Sequence, residues 1–275
     1  MLLKDSRPII VASKIDAASL NIPQTLISQH GFTETSQHQI PTYSNGNVNL
    51  MVIEKECIYA EPGDIPISGS TIIFASKHVS AAGKPALTVH ATGNLTSQAE
   101  FGGRPGEVSQ VEPFRIVQAL RTLKQESARN NEQIEVTMEA THHGPTSFPV
   151  PVCFVEIGSG ANEWSDRRLG KIAAQAVVAA ASDNSFEGVN AVGFGGTHYS
   201  AKHTRMSMEG KYQIGHLVSR NAFESGITET TLRETFGKTI GGCETALVDW
   251  KGLSGDDRRR LVQQLEALGK KVVRI

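Results

Sequence analysis

The chain has 275 residues, of which 39% are hydrophobic and 20% are charged. This length suffices for one large α/β unit, and the composition is that of an ordinary globular protein rather than a disordered chain or a coiled coil. A formal net charge of -1 gives no overall attraction to nucleic acid, so a nucleic-acid partner would have to be bound by small basic patches.

Cysteine usage and hydropathy exclude further classes of protein. The three cysteines, Cys57, Cys153 and Cys243, form no CxxC pair, which argues against a disulfide framework and against a zinc cluster held by thiolates. Any metal would therefore have to be bound by histidine and carboxylate side chains. The apolar runs are too short to cross a bilayer and the first residues lack the pattern of a secretory signal, so we expect a cytoplasmic protein.

In the first half of the chain, apolar runs bounded by glycine and proline predict strands. These runs lie at residues 8–13, 49–54, 71–75 and 86–90. A helix that begins near Asp16 is expected to be interrupted at Pro23, because proline lacks the N–H group that the helix needs. From Pro113 onward, apolar side chains recur with helical spacing and predict an amphipathic helix.

The second half alternates between strands and helices. Strands are predicted at residues 134–138, 152–157, 189–194, 245–249 and 271–275. Helices are predicted after residue 160, at 228–236 and from Ser254, where Ser-x-x-Asp has the spacing of a capping box. This alternation predicts a three-layer α/β/α fold with a mixed, largely parallel sheet. We expect residues 1–275 to form a single catalytic unit, with two subdomains that share the site as the alternative.

One stretch concentrates ionisable side chains. Residues 139–146 read Glu-Ala-Thr-His-His-Gly-Pro-Thr, so a predicted strand ends with a carboxylate, two imidazoles and an abrupt turn. Loops at the ends of strands carry the chemistry of many α/β proteins, because the sheet holds them rigidly. The stretch is therefore a candidate site.

Other histidines occupy similar positions. Six of the nine lie at the ends of predicted strands or beside glycine turns, namely His78, His90, His142, His143, His198 and His216. A single buried histidine is commonly a packing residue, but several after different strands are more readily explained by a shared site.

Two chemistries fit such a site. Imidazoles and carboxylates could bind Zn²⁺, which lowers the pKa of a water ligand to about 7. Alternatively, one histidine could act as a base toward water while a neighbour polarises a carbonyl group, without a metal. Glu156 belongs to this set, unless it pairs with Arg167 or Arg168 instead.

A glycine turn follows the strand predicted at 189–194. Its exposed N–H groups, at Gly195 and Gly196, could hold an oxyanion, although a tight turn after a buried strand explains them equally well. Basic residues interleaved with Tyr199 and Tyr212 come next, at Lys202, His203, Arg205 and Lys211. They could grip a nucleic-acid backbone, or they could form the solvated face of a loop.

Several of these motifs together resemble the archaeal and plant type of D-aminoacyl-tRNA deacylase. They stand in the same order across nearly the whole chain: residues 12–22 (ASKIDAASLNI), 76–78 (SKH), 87–94 (LTVHATGN), 139–146 (EATHHGPT), 154–159 (FVEIGS) with Glu163 and Trp164, and 193–199 (GFGGTHY). The resemblance implies a zinc-containing hydrolase that cuts the ester bond between a D-amino acid and the 3′-terminal adenosine of tRNA, a proofreading step of translation. It also implies a fold similar to the peptidyl-tRNA hydrolase and phosphorylase type, with the acceptor end of tRNA as partner and no obligate protein partner.

We assign roles within these motifs as a hypothesis. Catalysis is assigned to His142, His143, Glu139 and His198, and zinc binding to His78, His90 and Glu156. Substrate binding is assigned to Lys77, Asn94, Thr146, Gly195, Gly196, Thr197 and Tyr199. Steric exclusion in the pocket would discriminate against L-amino acids. Two rival functions are a zinc-dependent peptidase or amidase and a non-catalytic RNA-binding module whose histidines are structural.

Overall fold

The computed structural model describes residues 3–4, 6–35, 40–65, 67–183 and 187–275. The strands are β1 (Leu3–Lys4), β2 (Ile9–Ser13), β3 (Thr33–Glu34), β4 (Thr42–Ser44), β5 (Asn49–Ile53), β6 (Ile67–Ser68), β7 (Ile72–Lys77), β8 (Ala86–His90), β9 (Glu135–Met138), β10 (Val152–Gly158), β11 (Val189–Phe194), β12 (Tyr212–Val218), β13 (Thr245–Val248) and β14 (Lys271–Arg274). The α-helices are α1 (Ala17–Gln29), α2 (Pro113–Arg129), α3 (Ala161–Ser165), α4 (Arg167–Ala181), α5 (Ala201–Met208), α6 (Arg220–Glu224), α7 (Glu229–Gly237) and α8 (Gly255–Ala267).

Two sheets contain most of these strands. The larger sheet has the order β3-β4-β5-β2-β7-β10-β8-β9, and the smaller one has the order β12-β11-β13-β14. The smaller sheet is parallel throughout, whereas the larger one includes antiparallel pairs at β3–β4, β4–β5 and β8–β10. The predicted α/β class with a mixed, largely parallel arrangement is therefore confirmed.

Helices and loops cover the larger sheet on different faces. Apolar side chains of α1, α2 and α4 pack on one face in a single core. The opposite face is covered by the 3-10 turn Cys57–Tyr59, by Ala60 and Ile65, and by Phe148. Because β2, β7 and β10 are covered on both faces, their sequences are almost continuously apolar.

The smaller sheet is joined to the larger one through α2, which packs on α4 and also against β12. The other face of the smaller sheet is covered by α6, α7 and α8, whose apolar side chains form a second core with β11, β12 and β13. Among the described helices, none combines the length and the apolarity needed to cross a membrane.

The prediction that Pro23 interrupts the first helix is wrong. Helix α1 runs from Ala17 to Gln29 with Pro23 inside it, and Asp16 caps its N-terminus by accepting a hydrogen bond from the Ser19 N–H. Proline in a helix interior costs about 3 kcal/mol. Burial of Ile22 and Leu26 against the sheet offsets that cost, since each apolar side chain contributes about 1.5–3 kcal/mol when removed from water.

A second difference concerns residues 199–212, which the sequence presents either as a nucleic-acid contact or as the solvated face of a loop. They contain α5 and lead into β12, a strand that is buried along its whole length. Gln213, Gly215 and His216 interrupt its apolar pattern, so the period that identifies a buried strand is not visible in the sequence.

Candidate functional site

The stretch from Glu139 to Thr146 leaves β9 and lies where the two sheets meet. The Ala140 N–H donates to the carbonyl of His198, and the Thr141 N–H donates to the carbonyl of Leu217, each over 2.8 Å. On the other side, the Gly93 N–H donates to the His143 carbonyl over 2.8 Å. These bonds fix Glu139, His142 and His143 between the ends of β8, β11 and β12.

Three imidazoles cluster at this junction. The ring centroids of His142 and His143 are 4.2 Å apart. The ring centroid of His90 lies 4.3 Å from that of His142 and 4.8 Å from that of His143. In all three rings Nδ1 lies beside a backbone carbonyl, at 3.1 Å for His90, 2.8 Å for His142 and 2.6 Å for His143. Because a carbonyl only accepts, each Nδ1 carries the hydrogen in a neutral ring and Nε2 keeps its lone pair.

Glu139 is buried beside this cluster and connects three histidines. Its Oε2 accepts a hydrogen bond from Nε2 of His198 over 2.6 Å and lies 3.7 Å from Nε2 of His142. Its Oε1 lies 3.2 Å from Nδ1 of His78. Burial would raise the pKa of Glu139, but the contacts with His198 and His78 hold that pKa well below its usual range.

A second buried carboxylate, Glu156, faces two of the same histidines. Its Oε2 lies 3.5 Å from Nδ1 of His78 and 3.6 Å from Nε2 of His90. Parallel pairing of β7 with β10 places Ser76 opposite Glu156 and so brings His78 near it. The alternative, in which Glu156 pairs with Arg167 or Arg168, is wrong. The buried carboxylate faces His78 and His90, whereas both arginines are exposed and Arg168 binds Asp166 and Glu132.

The charge states of the histidines differ. Burial would lower the pKa of His78, but Glu139 and Glu156 raise it to about 11, and its Nε2 meets the Tyr199 hydroxyl. Burial would likewise lower the pKa of His90, but the neighbouring Glu156 carboxylate raises it above its usual value. For His142 and His143, burial and neighbouring imidazoles lower the pKa, in His143 to about 4. His142 and His143 are therefore neutral imidazoles near pH 7.

Ligand-type atoms lie close enough together to hold a cation. Three groups have their nitrogen or oxygen atoms within 4.8 Å of one another: His90 with His142 and His143, Glu139 with His142 and His198, and His78 with Glu139 and Glu156. Nε2 of His90 is buried without a hydrogen-bond partner, and Oε1 of Glu139 has only its ion-pair contact with His78. Unpartnered buried polar atoms are unfavourable, and a cation would satisfy them, so these residues fit a metal ion with nitrogen and oxygen ligands.

These groupings divide the three residues to which zinc binding was assigned. His78 and Glu156 fall in one group, and His90 falls in another with the two histidines of the junction.

Two cavities meet at the histidine pair. We call the first the acidic chamber; it has a volume of about 390 Å³ and is lined by Asp16, Glu56, Cys57, Ile58, Tyr59, Ser76, Lys77, His78, Val79, Phe101, His142, His143 and Glu156. We call the second the polar chamber; it has a volume of about 280 Å³ and is lined by Gly93, Asn94, Leu95, Thr96, Gln98, Glu100, Phe101, Ala140, Thr141, His142, His143, His198, Ser219, Asn221, Ala222 and Ser225. His142, His143 and Phe101 belong to both walls.

Two residues assigned to substrate binding hold the loop that carries Phe101. Asn94 donates its amide to the carbonyls of Gly102 and Arg104, over 2.8 and 3.2 Å. The Thr146 hydroxyl accepts from the Arg104 N–H over 3.0 Å. Asn94 also lines the polar chamber. A third residue with this assignment, Lys77, lies in the acidic chamber and pairs with Glu56.

The glycine turn before His198 uses its N–H groups within the fold. The Gly195 N–H donates to the Val218 carbonyl over 2.8 Å, and the Gly196 N–H donates to the Gly252 carbonyl over 3.1 Å. The Thr197 hydroxyl donates to the carbonyl of Tyr199 over 2.7 Å. Since both N–H groups are occupied, this turn positions His198 and Tyr199 rather than offering donors to an oxyanion.

Sequence reasoning grouped His216 with the site and overlooked several chamber residues. His216 lies inside β12, where its ring nitrogens meet the Thr141 hydroxyl and the Ser109 carbonyl. Glu56 and Tyr59 of the acidic chamber, and Asn221 of the polar chamber, were not singled out because they lie on loops without a distinctive motif.

Buried imidazoles and carboxylates at the junction of two cavities, on the strand ends of an α/β fold, define a hydrolase-type centre. The model of the family described as D-aminoacyl-tRNA deacylase matches residues 66–273. The chain belongs to this family.

Relatives with the name D-aminoacyl-tRNA deacylase match most of the chain. The protein of Methanocaldococcus jannaschii is 34% identical over 95% of this chain and 96% of its own. The protein of Methanosarcina mazei is 33% identical over 99% and 93%, and that of Aeropyrum pernix is 39% identical over 74% and 75%. The crystal structure of a conserved protein of unknown function matches with a TM-score of 0.89 and 29% identity, over 99% of this chain and 96% of the other.

Proposed function

We propose that this protein hydrolyses the ester bond of D-aminoacyl-tRNA and so releases a free D-amino acid and tRNA. The observation that carries the proposal is the position of His142 and His143, which form a common wall of two cavities beside the Glu139 carboxylate. An ester bound across both cavities would have its carbonyl carbon at these imidazoles. Membership of the family, with relatives named D-aminoacyl-tRNA deacylase, identifies the ester.

Glu139 and His198 supply the proton transfer in this proposal. The ionised carboxylate accepts the Nε2 hydrogen of His198, which leaves Nδ1 as the basic nitrogen. Nδ1 removes a proton from water as the water oxygen attacks the ester carbonyl. The same nitrogen then returns the proton to the departing ribose oxygen, which restores the starting state of the imidazole.

His90, His142 and His143 are the residues that we propose as zinc ligands. Each offers a ring nitrogen within 4.8 Å of the others, and because their Nδ1 hydrogens are used by backbone carbonyls, Nε2 is the nitrogen left to bind the ion. When bound, the ion would supply Lewis acidity toward the ester carbonyl. Glu139 and Glu156 lie next to these rings and would balance its charge.

The remaining features of the proposal concern the whole chain. We propose that residues 1–275 act as one unit in the cytoplasm, with the layered fold of the peptidyl-tRNA hydrolase and phosphorylase type. A near-neutral protein can bind tRNA through its acceptor end alone, where a few basic side chains suffice. Exclusion of L-amino acids is assigned to steric contacts within the chambers.

A single-turnover assay with D-Tyr-tRNA and L-Tyr-tRNA tests the proposal. We expect release of tyrosine from the D-substrate only, and equal stability of both substrates in the absence of protein. Release from small D-aminoacyl peptides but not from tRNA would favour a peptidase, and tRNA binding without release would favour an RNA-binding module. For the metal, removal of zinc with a chelator should abolish release and zinc addition should restore it; full activity of metal-free protein would refute a role for zinc.

A further inference from the structure

A ligand that fills both chambers must pass the wall that they share, so that one part of the ligand lies in each chamber. His142 and His143 occupy the wall together with Phe101, whose side chain is 61% exposed. If the ester of the proposed reaction lies at the histidines, one chamber contains the acyl part of the substrate and the other contains the alcohol part. The chemistry of the two linings differs enough to assign them.

The acidic chamber combines negative charge with an apolar rim. Its carboxylates, Asp16, Glu56 and Glu156, outnumber its cations, Lys77 and His78. Tyr59 and Val79, with exposed fractions of 44% and 64%, add apolar surface to this chamber. A ligand suited to this lining carries one positive charge and an apolar group.

The hydrogen-bonding groups that line the polar chamber are mainly uncharged. Hydroxyl and amide side chains are contributed by Thr96, Gln98, Ser219, Asn221 and Ser225, and Glu100 supplies a carboxylate from an exposed position. Ser219 and Asn221 follow β12, and His198 follows β11, so this chamber lies at the carboxyl ends of parallel strands, where α/β folds bind their ligands. Its lining suits a ligand rich in hydroxyl groups and ring nitrogens.

The two parts of the substrate, on either side of the ester bond, differ in chemistry as the two chambers do. The acyl part carries an α-ammonium group and the amino-acid side chain, and the alcohol part is an uncharged ribose with its adenine. We infer that the acidic chamber binds the D-amino acid and that the polar chamber binds the terminal adenosine. This inference rests on the proposed function and goes beyond it by assigning the residues that set amino-acid preference.

The inference separates two kinds of substitution. A bulkier side chain in the acidic chamber should impair hydrolysis in proportion to the size of the amino acid, whereas one in the polar chamber should impair all substrates equally. Val79→Phe narrows the acidic chamber, and Ser225→Phe narrows the polar chamber. Val189→Phe is the matched control, because Val189 is also exposed but begins β11, at the end of the strand away from the site.

The experiment uses one tRNA charged with D-alanine or with D-tyrosine. For Val79→Phe we expect kcat/KM to fall at least about 20-fold with D-tyrosine and less than about threefold with D-alanine, as size exclusion in a pocket predicts. For Ser225→Phe we expect an equal fall of about tenfold with both substrates, through KM. We expect free adenosine to inhibit the wild type and the Val79→Phe variant equally, and to inhibit Ser225→Phe more weakly.

A second variant of the acidic chamber tests the assignment independently, in case Val79→Phe does not fold. Tyr59→Ala widens the chamber and should change kcat/KM for D-tyrosine more than for D-alanine. Equal losses with both amino acids at Val79 and Tyr59, or an amino-acid-dependent loss at Ser225, would overturn the assignment. A wild-type protein that releases neither amino acid would refute the proposed function itself, which is a different result.

Discussion

His203, in α5 against the smaller sheet, and His216, in β12 of that sheet, are as deeply buried as His90 at the junction of the sheets. Nδ1 of His203 lies 2.6 Å from the Ser200 hydroxyl, and its Nε2 donates to the Leu247 carbonyl over 3.0 Å. His216 has partners of the same kind. His90 uses Nδ1 in this way, but its Nε2 has no hydrogen-bond partner and faces the carboxylate of Glu156.

The comparison separates two reasons for burying a histidine. Burial lowers the pKa of His203 to about 4 and that of His216 to about 3, and neutral partners satisfy both rings. His203 and His216 are therefore core histidines in which both ring nitrogens have hydrogen-bond partners. At the junction, the neighbouring carboxylates and the unpartnered Nε2 of His90 leave the site able to bind a cation. Partners, rather than burial, therefore distinguish a candidate catalytic histidine from a structural one.

The largest expected effect comes from neutralising the carboxylate at the junction. Glu139→Gln keeps the shape of the side chain but removes the charge that orients His198, so deacylation of D-Tyr-tRNA should fall about 10³-fold. The matched control is Glu135→Gln, at the exposed start of β9, the strand that ends just before Glu139; it should leave the rate unchanged. The measurement is the single-turnover rate; a loss of less than about tenfold would remove Glu139 from the catalytic mechanism.

The next effect contrasts His90 with His216 directly. His90→Gln should lower the zinc content of the purified protein and reduce the deacylation rate about 100-fold, since loss of one ligand weakens a metal site strongly. His216→Gln should retain the zinc content and instead lower the free energy of unfolding by about 1–3 kcal/mol, through lost hydrogen bonds. Elemental analysis and urea unfolding give the two readouts. Equal zinc contents in the two variants would contradict the proposed ligand set.

Acid should destabilise the protein through the structural histidines. In the unfolded chain an imidazole has a pKa near 6.5, whereas folding holds that of His203 at about 4. Below pH 6.5 the unfolded state therefore binds the additional proton, and the free energy of unfolding decreases by about 1.4 kcal/mol per pH unit until pH approaches 4. Above pH 6.5 this contribution is fully present.

The variant His203→Gln isolates that contribution. Between pH 6 and pH 5, its free energy of unfolding should decrease less than that of the wild type. The expected difference in slope is about 1.4 kcal/mol per pH unit, which corresponds to one proton fewer taken up on unfolding. Urea titrations at each pH provide the slopes. Identical slopes would mean that His203 takes up its proton in the folded state as readily as in the unfolded chain.

The smallest effect is expected at Tyr199, whose hydroxyl meets Nε2 of His78. Tyr199→Phe removes one hydrogen bond from a ring that both carboxylates also hold, so the rate should fall about fivefold, equivalent to about 1 kcal/mol. Tyr43→Phe, in β4 at the far side of the larger sheet, is the control. A loss comparable to that of Glu139→Gln would instead place the Tyr199 hydroxyl among the reacting groups.

Short apolar runs were sufficient to predict several strands. The predicted bounds agree with β8 and β11 at both ends and with β2 to within one residue, because buried strands of a sheet that is covered on both faces are largely apolar. Helix α1 and strand β12 were predicted less well. In α1, packing overrides the local effect of Pro23, and in β12, polar residues that are satisfied only by distant partners obscure the pattern.

The candidate site could be predicted only in part. The clustering of histidines after strands indicated that a site exists, and the stretch from Glu139 to Thr146 is at its centre. The division of ligands depends on which strands are neighbours: β9 pairs with β8 and so brings His90 to the junction, whereas β10 pairs with β7 and so brings Glu156 to His78. No local pattern encodes these pairings, and both chambers are formed by loops that only the tertiary structure brings together.

The hydrogen bonds that hold residues 140 and 141 end on carbonyls of His198 and Leu217, which lie more than fifty residues further along the chain. A chain that ends after β10 contains Glu139, His142 and His143 but has neither these carbonyls nor His198. During synthesis, the junction thus stays unformed until β11 and β12 have left the ribosome and paired. Deacylase activity would then report on completed assembly, and a fragment with either sheet alone would have none.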